Sequence, residues 1–310
     1  MKNKIKFLSI ALVTSLITNF TAYAASNQER SALNFSKDLI NKMGQDLSNG
    51  DNLPDYLKRI ELSWDVSTEG KPLYDILTVQ PLLQSDNLHH TIFTQARVAY
   101  GDDGRTTANV GLGYRNLTLD EKLILGVNSF FDYEFPYHHQ RVGLGVEIKS
   151  SALELYSNYY NAVTDWRYAD TGYIEKALDG YDVEIGTQLP YLPWAYLFAK
   201  KYHTDGITAD NDLNGAIFAL RLRPISFLEL EVGSIDDDET TSSTYAKTSV
   251  RIGWGNKRSK RTKLVSNRIF EFNDSVADKL LSKVRRSNTI QKERKSTTSG
   301  NVSISMKRAD

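Results

Sequence analysis

The chain has no cysteine among its 310 residues, which excludes a disulfide framework and a thiolate metal site. Beyond the first two dozen residues it has no apolar run of the ~20 residues that a helical membrane span requires. It has no G-x-S-x-G segment, so the nucleophile elbow of a hydrolase is missing. It has no overall surplus of charge, with 38 Lys and Arg against 38 Asp and Glu.

The amino terminus sets the compartment. Lys2, Lys4 and Lys6 precede a mostly apolar stretch from Phe7 to Phe20, followed by Ala22-Tyr23-Ala24. This is the pattern of a secretory signal peptide over residues 1–24, cut before Ala25. Ser9, Thr14, Ser15 and Thr18 interrupt the apolar core and argue against an uncleaved anchor. Residues 25–57 are polar, with Leu33, Leu39, Ile40, Met43 and Leu47 at loosely helical spacing. They are expected to form a periplasmic lead that ends in the turn chemistry of Asn49-Gly50-Asp51-Asn52.

From residue 58 the rhythm changes to period two. In Val142-Gly143-Leu144-Gly145-Val146-Glu147-Ile148 the even positions are apolar and the odd ones are glycine or charged. An extended strand sends successive side chains to opposite faces, so this run has one oily and one wet or bare face. Similar segments fall at about 58–66, 72–80, 91–100, 106–115, 122–132, 140–149, 152–162, 180–189, 194–202, 213–223, 225–235 and 244–254. Most are about ten residues, the length of a tilted membrane-crossing strand. Their even number suits a bacterial outer-membrane barrel.

The expected fold is therefore all-β: a transmembrane antiparallel β-barrel of about 12 strands over 58–255, oil outward and polar groups inward. Asp182, Glu184 and Gln188 should line the lumen, opposite Tyr181, Val183 and Ile185. Lys247, Ser249 and Arg251 should do the same opposite Ala246, Thr248, Val250, Ile252 and Trp254. In 213–223 neither parity is cleanly apolar. Seventeen tyrosines and four tryptophans supply rings suited to headgroup depth. The connections 165–179 and 235–243 are long and polar, the latter around Asp236-Asp237-Asp238-Glu239, and would be extracellular.

Charge is unevenly spread. From Asn256 onward 15 Lys and Arg meet 5 Asp and Glu, a net +10, whereas residues 25–255 carry −13. Two readings stay open: a solvated tail, or a tail lying against or inside the acidic body. Residues 256–310 are expected to hold a short helix over 274–287 with Leu280, Leu281 and Val284 as its stripe, then an extended segment that threads the pore.

Several motifs carry a family resemblance. Asn109-Val110-Gly111-Leu112-Gly113-Tyr114-Arg115, Leu125-Gly126-Val127-Asn128-Ser129-Phe130-Phe131-Asp132-Tyr133, and His139 with Arg141 and Gly143 to Glu147 are similar to the translocator barrel of the intimin/invasin group, the inverse autotransporters. Gly180-Tyr181-Asp182-Val183 and Leu189-Pro190-Tyr191-Leu192-Pro193-Trp194 extend the match, which covers about residues 58–290. The resemblance implies a twelve-stranded outer-membrane barrel whose chain, after the last strand, threads back through the pore to display an adhesin. Only about 23 residues remain from Asn288 onward, and no passenger domain is expected among them. Fully extended they reach about 75 Å, enough to cross a bilayer of about 40–45 Å.

No catalytic, cofactor-binding or metal-binding residues are expected, and no cofactor. His138-His139 near Asp132 and Glu134 offers donors suited to a metal, but reads more simply as a polar loop between strands. His89-His90 and His203 sit at strand ends. Ser157, Ser249, His139 and Asp165 are the residue types of a hydrolase without its local motif. Gly111-x-Gly113 and Gly143-x-Gly145 open no helix, so they are not nucleotide loops; glycine there permits curvature and close strand packing.

The chain is thus expected to be a non-enzymatic, monomeric barrel of a Gram-negative outer membrane. Its expected partners are outer-membrane lipid and lipopolysaccharide, the barrel-insertion machinery, periplasmic chaperones and host-cell surface molecules; nucleic acid is not among them. Two other readings are a stand-alone binding barrel acting through its loops and a soluble periplasmic β-sandwich.

Overall fold

The structure is a computed structural model. It describes residues 58–68, 70–101, 104–169, 172–207, 212–225, 228–238, 242–253, 265–270, 274–297 and, as backbone, 302–305. The expected signal peptide 1–24, the lead 25–57, Trp254, the basic run 256–261, and Lys307 with Arg308 lie outside the described residues.

Alternation sets the strands. They are β1 (Ile60–Ser67), β2 (Gly70–Gln84), β3 (His90–Gly101), β4 (Thr106–Thr118), β5 (Leu123–Phe135), β6 (His139–Lys149) and β7 (Leu153–Ala162). There follow β8 (Arg167–Tyr168), β9 (Tyr173–Ala177), β10 (Gly180–Leu189), β11 (Leu192–Thr204), β12 (Leu213–Ile225), β13 (Leu228–Asp237) and β14 (Ser243–Ile252). Near the carboxyl end come β15 (Lys292–Ser296) and β16 (Val302–Ser305).

Twelve of these close a barrel in the order β1-β14-β13-β12-β11-β10-β7-β6-β5-β4-β3-β2. Every pairing is antiparallel, and β1 closes on β14 from Ile60↔Ile252 to Ser67↔Tyr245. Closure removes both sheet edges, the condition for strands to lie in hydrocarbon. The soluble sandwich is thereby excluded: it would bury its apolar faces between two sheets, whereas here they point out.

Leu144 is 59 % exposed while Arg115, two strands away on the other parity, is fully buried. Val110, Leu112, Val127 and Val146 share the outer face. Asp182, Glu184 and Gln188 face inward as expected. Ile60, Val250 and Ile252 differ: they have the outward parity but are buried. β12 resolves its ambiguous pattern by sending Leu213, Ile217 and Ala219 inward, where they join Tyr156, Tyr196, Phe198, Tyr202, Ile235 and Tyr245 in an aromatic cluster. Both of its faces are therefore partly apolar.

One end of the barrel carries short turns, at residues 85–89, 119–122, 150–152 and 190–191. The other end carries the connection 163–179, which folds into the hairpin β8–β9. That hairpin, described by sequence as a loop, joins β15 and β16 in a four-stranded sheet of order β16-β15-β9-β8.

Candidate functional site

The lumen is filled by the chain's own tail. Val276 N–H donates to the Glu121 carbonyl at 2.8 Å, at the short-turn end. Leu119, Asp120 and Glu121 of that turn all have positive φ (51°, 53° and 65°), a conformation that costs non-glycine residues of order 1–3 kcal/mol each. At the other end, β15 pairs with β9 from Lys292↔Ala177 to Ser296↔Tyr173. The residues between lie against the inner wall.

The expected helix over 274–287 does not form. Among the described residues there is a single 3-10 turn at Ala277–Lys279. The cause is competition for carbonyls. Arg115 donates to the carbonyls of Leu280 (2.7 Å) and Ser282 (2.8 Å), and Asn158 donates to that of Arg285 (3.0 Å). A helix would need those acceptors for its own N–H groups. The apolar stripe still serves: Val276 and Leu280 pack on Leu117 and Ile124, and Val284 packs on Leu77, Val79, Phe93 and Phe130.

Five cations of the tail meet wall carboxylates. Lys279 Nζ lies 2.7 Å from Glu154 Oε1 on β7. Lys283 Nζ bridges Glu61 on β1 and Glu229 on β13, at 2.5 and 3.0 Å. Arg285 forks onto both oxygens of Glu184 on β10, at 2.7 and 2.9 Å. Arg286 forks onto Asp132 on β5, at 2.8 and 2.7 Å, with its guanidinium 4.4 Å from the Phe130 ring centre. Lys292 Nζ lies 2.7 Å from Glu134. These groups are nearly dry, so each charge depends on its partner.

The inward glycines make room for this arrangement. An added Cβ at Gly111 would collide with the Phe130 ring, at Gly113 with the Phe93 ring, and at Gly143 it would sit 2.9 Å from Arg286 Nη2. Their absent side chains let large neighbours lie flat against the wall, which is more specific than the strand curvature inferred from sequence.

At the long-loop end, Glu175 on β9 joins the tail to the barrel. Arg105 bonds it at 2.9 Å and also reaches Glu134 at 2.8 Å. Burial works against ionisation of Glu175, but His139 and the charges of Arg105 and Lys292 prevail and lower its pKa to about 2.

The candidate metal and hydrolase residues do not converge. His139 is buried with Nε2 3.5 Å from Glu175 Oε2, while His138 is bonded to Tyr133 on the outside. Asp132 and Glu134 are taken up by cations. Ser249 faces the lumen against Ser63 at 3.0 Å, and Asp165 is exposed in a loop. His90 bonds the Tyr114 hydroxyl at 2.7 Å. A grouping that sequence spacing did not single out is His203, Asp205 and Asp212, whose donor atoms lie within 4.8 Å of one another. Asp205 and Asp212 are exposed, and the His203 ring is bonded to Asn214 and Asp205 at 2.9 Å each.

A family model described as inverse autotransporter, beta-domain, matches residues 15–288. The chain is 35% identical over 112 residues to the inverse autotransporter adhesin YeeJ of Escherichia coli K12, an alignment covering 35% of this chain and 5% of that protein. It is 29% identical over 140 residues to a putative attaching and effacing protein homolog of the same strain, covering 44% and 43%. Intimin of Citrobacter freundii is 26% identical over 210 residues, covering 60% and 22%. The chain thus matches less than half the length of these curated relatives. A chain solved in a study of in-meso crystallization of membrane proteins superposes with a TM-score of 0.61 at 19% identity, covering 76% of this chain and 99% of that one, and shares the fold.

Proposed function

Because this chain belongs to the inverse autotransporter β-domain family, we propose that it is a translocator whose pore houses an extended polypeptide on its way to the cell surface. The chain is an outer-membrane barrel of the Gram-negative type. In the proposed orientation residues 1–24 direct export, the short turns face the periplasm, and the hairpin β8–β9 lies outside. The observation that carries the reading is the path of residues 276–296, from the Glu121 turn through the lumen to the β9 edge.

In this reading the barrel is non-enzymatic, and its work is display of an adhesin-type segment toward host surface molecules. Its assembly partners are the barrel-insertion machinery and periplasmic chaperones, and its surroundings are lipid and lipopolysaccharide. The test is an epitope placed after Asp310 in intact cells. Antibody or protease access from outside is expected; access only after the outer membrane is breached would overturn the reading. A binding role for the loops themselves draws on Tyr168, which is 82 % exposed on the hairpin. Exchange of residues 165–179 followed by cell attachment tests that role separately.

A further inference from the structure

The tail is held twice, and the two grips are chemically different. Charged side chains make the ion pairs described above. Independently, the wall binds the tail by its main chain. Besides the three bonds from Arg115 and Asn158, Arg141 donates to the carbonyls of Ser287 (2.7 Å) and Thr289 (3.0 Å). Asn109 donates to that of Asn288 at 2.9 Å. Gln95 accepts from the N–H of Val284 at 2.8 Å, and the Tyr160 hydroxyl from that of Ser287 at 2.6 Å.

All six of these side chains stand on β3, β4, β6 and β7, one side of the barrel. The aromatic cluster lies mostly on β11–β14 across the lumen and reaches this side only at Tyr156 of β7. Beyond Gln291 the main-chain grip continues as strand addition, five residue pairs between β15 and β9. From residue 280 to 296 the barrel thus offers a nearly unbroken series of partners for peptide groups.

Peptide groups are common to every sequence. Guanidinium forks and carboxamides that bond carbonyls do not read side chains, and strand addition takes its affinity from the backbone. The geometry points to a sequence-tolerant track along β3–β7, ending on β9, whose ligand class is any extended, non-helical polypeptide. The track rests on the translocator reading and deepens it: a chain in transit would exchange one stretch for the next on the same donors, while the charged residues fix where it comes to rest. The 3-10 turn at 277–279 is the last helical turn of the tail before wall side chains take over most of its peptide groups.

The experiment uses the full chain in planar bilayers. In one variant Ser287–Gln291 are reordered among themselves, with all tail cations kept. In the other, Arg141→Lys keeps the charge beside Asp132 but removes the fork that spans two carbonyls. Reordering is expected to leave the closed conductance unchanged. Arg141→Lys is expected to raise the frequency of open bursts by about tenfold, with either tail sequence. Heat-modifiable mobility reports barrel closure. If Arg141→Lys does not close, Asn158→Leu reads the same grip at Arg285 with a smaller rise. Open bursts from the reordered tail, or silence from the wall variants, would overturn the track. The epitope after Asp310 is scored apart. Loss of surface access with the conductance pattern intact sinks the translocator reading alone; failure of the pattern with access intact sinks the track alone.

Discussion

Arg286 of the tail bonds both oxygens of Asp132, and Arg141 of the neighbouring strand holds one of the same oxygens at 2.9 Å. One buried carboxylate therefore serves two guanidiniums, from opposite sides of the tail–wall boundary. The two ends of this relationship are not equivalent. Arg286→Ala leaves Asp132 with Arg141 and Asn109, whereas Asp132→Asn leaves two buried cations short of a counter-charge. Breaking a buried pair costs about 3–5 kcal/mol. Asp132→Asn is expected to fall in that range and Arg286→Ala below it. Thermal unfolding in detergent ranks them, and the reverse order would refute the assignment.

Acid should loosen the outer sheet. Glu175 has a folded pKa of about 2, below its ordinary 4.5. A group depressed in this way contributes fully above about pH 4.5, and its contribution is lost as pH falls toward 2. Amide protection at 292–296, taken relative to the intrinsic exchange rate at each pH, is therefore expected to fall between pH 4.5 and 2. Protection that stays flat across this window would show that Glu175 does not anchor β9 to the tail.

Gly111→Ala should disturb the lumen although it adds one methyl group. The new Cβ forces the Phe130 ring to move, and that ring lies under Arg286. Overpacking of this kind costs about 1–3 kcal/mol. The melting point should drop and open-channel bursts should appear; a change in stability without bursts would separate Phe130 from the seating of Arg286.

The outer face is tested by charge. Val127 lies near the middle of β5 and is 53 % exposed. Lysine there is expected to cost about 2–4 kcal/mol at the bilayer midplane. Lysine at Asn116, near the short-turn end of β4, should cost far less. Folding into lipid vesicles followed by urea titration measures both, and equal costs would contradict a lipid belt centred on Val127.

The barrel was legible because its signal is local. Alternation in Gly180–Leu189 matches the observed strand end to end, since each residue there has one lipid-facing or lumen-facing task. The hairpin β8–β9 was not legible: its five-residue strand Tyr173-Ile174-Glu175-Lys176-Ala177 pairs with only two residues of β8 and finds its longer partner, β15, more than a hundred residues away. The helix over 274–287 was expected from a correct apolar stripe. Spacing cannot reveal that Arg115 and Asn158 would claim its carbonyls. Charge asymmetry marked tail and body as complementary, but which cation meets which acid depends on strand order, as when Lys283 joins β1 to β13 across the closure.

The order of the outer sheet has a mechanical corollary. β16 bonds β15 alone, with Ser305 opposite Lys292, and β15 in turn leans on β9. A pull on the chain beyond Ser305 would thus peel residue pairs one at a time near the mouth. The Arg286–Asp132 clasp deeper inside would feel tension only after that zipper had run out.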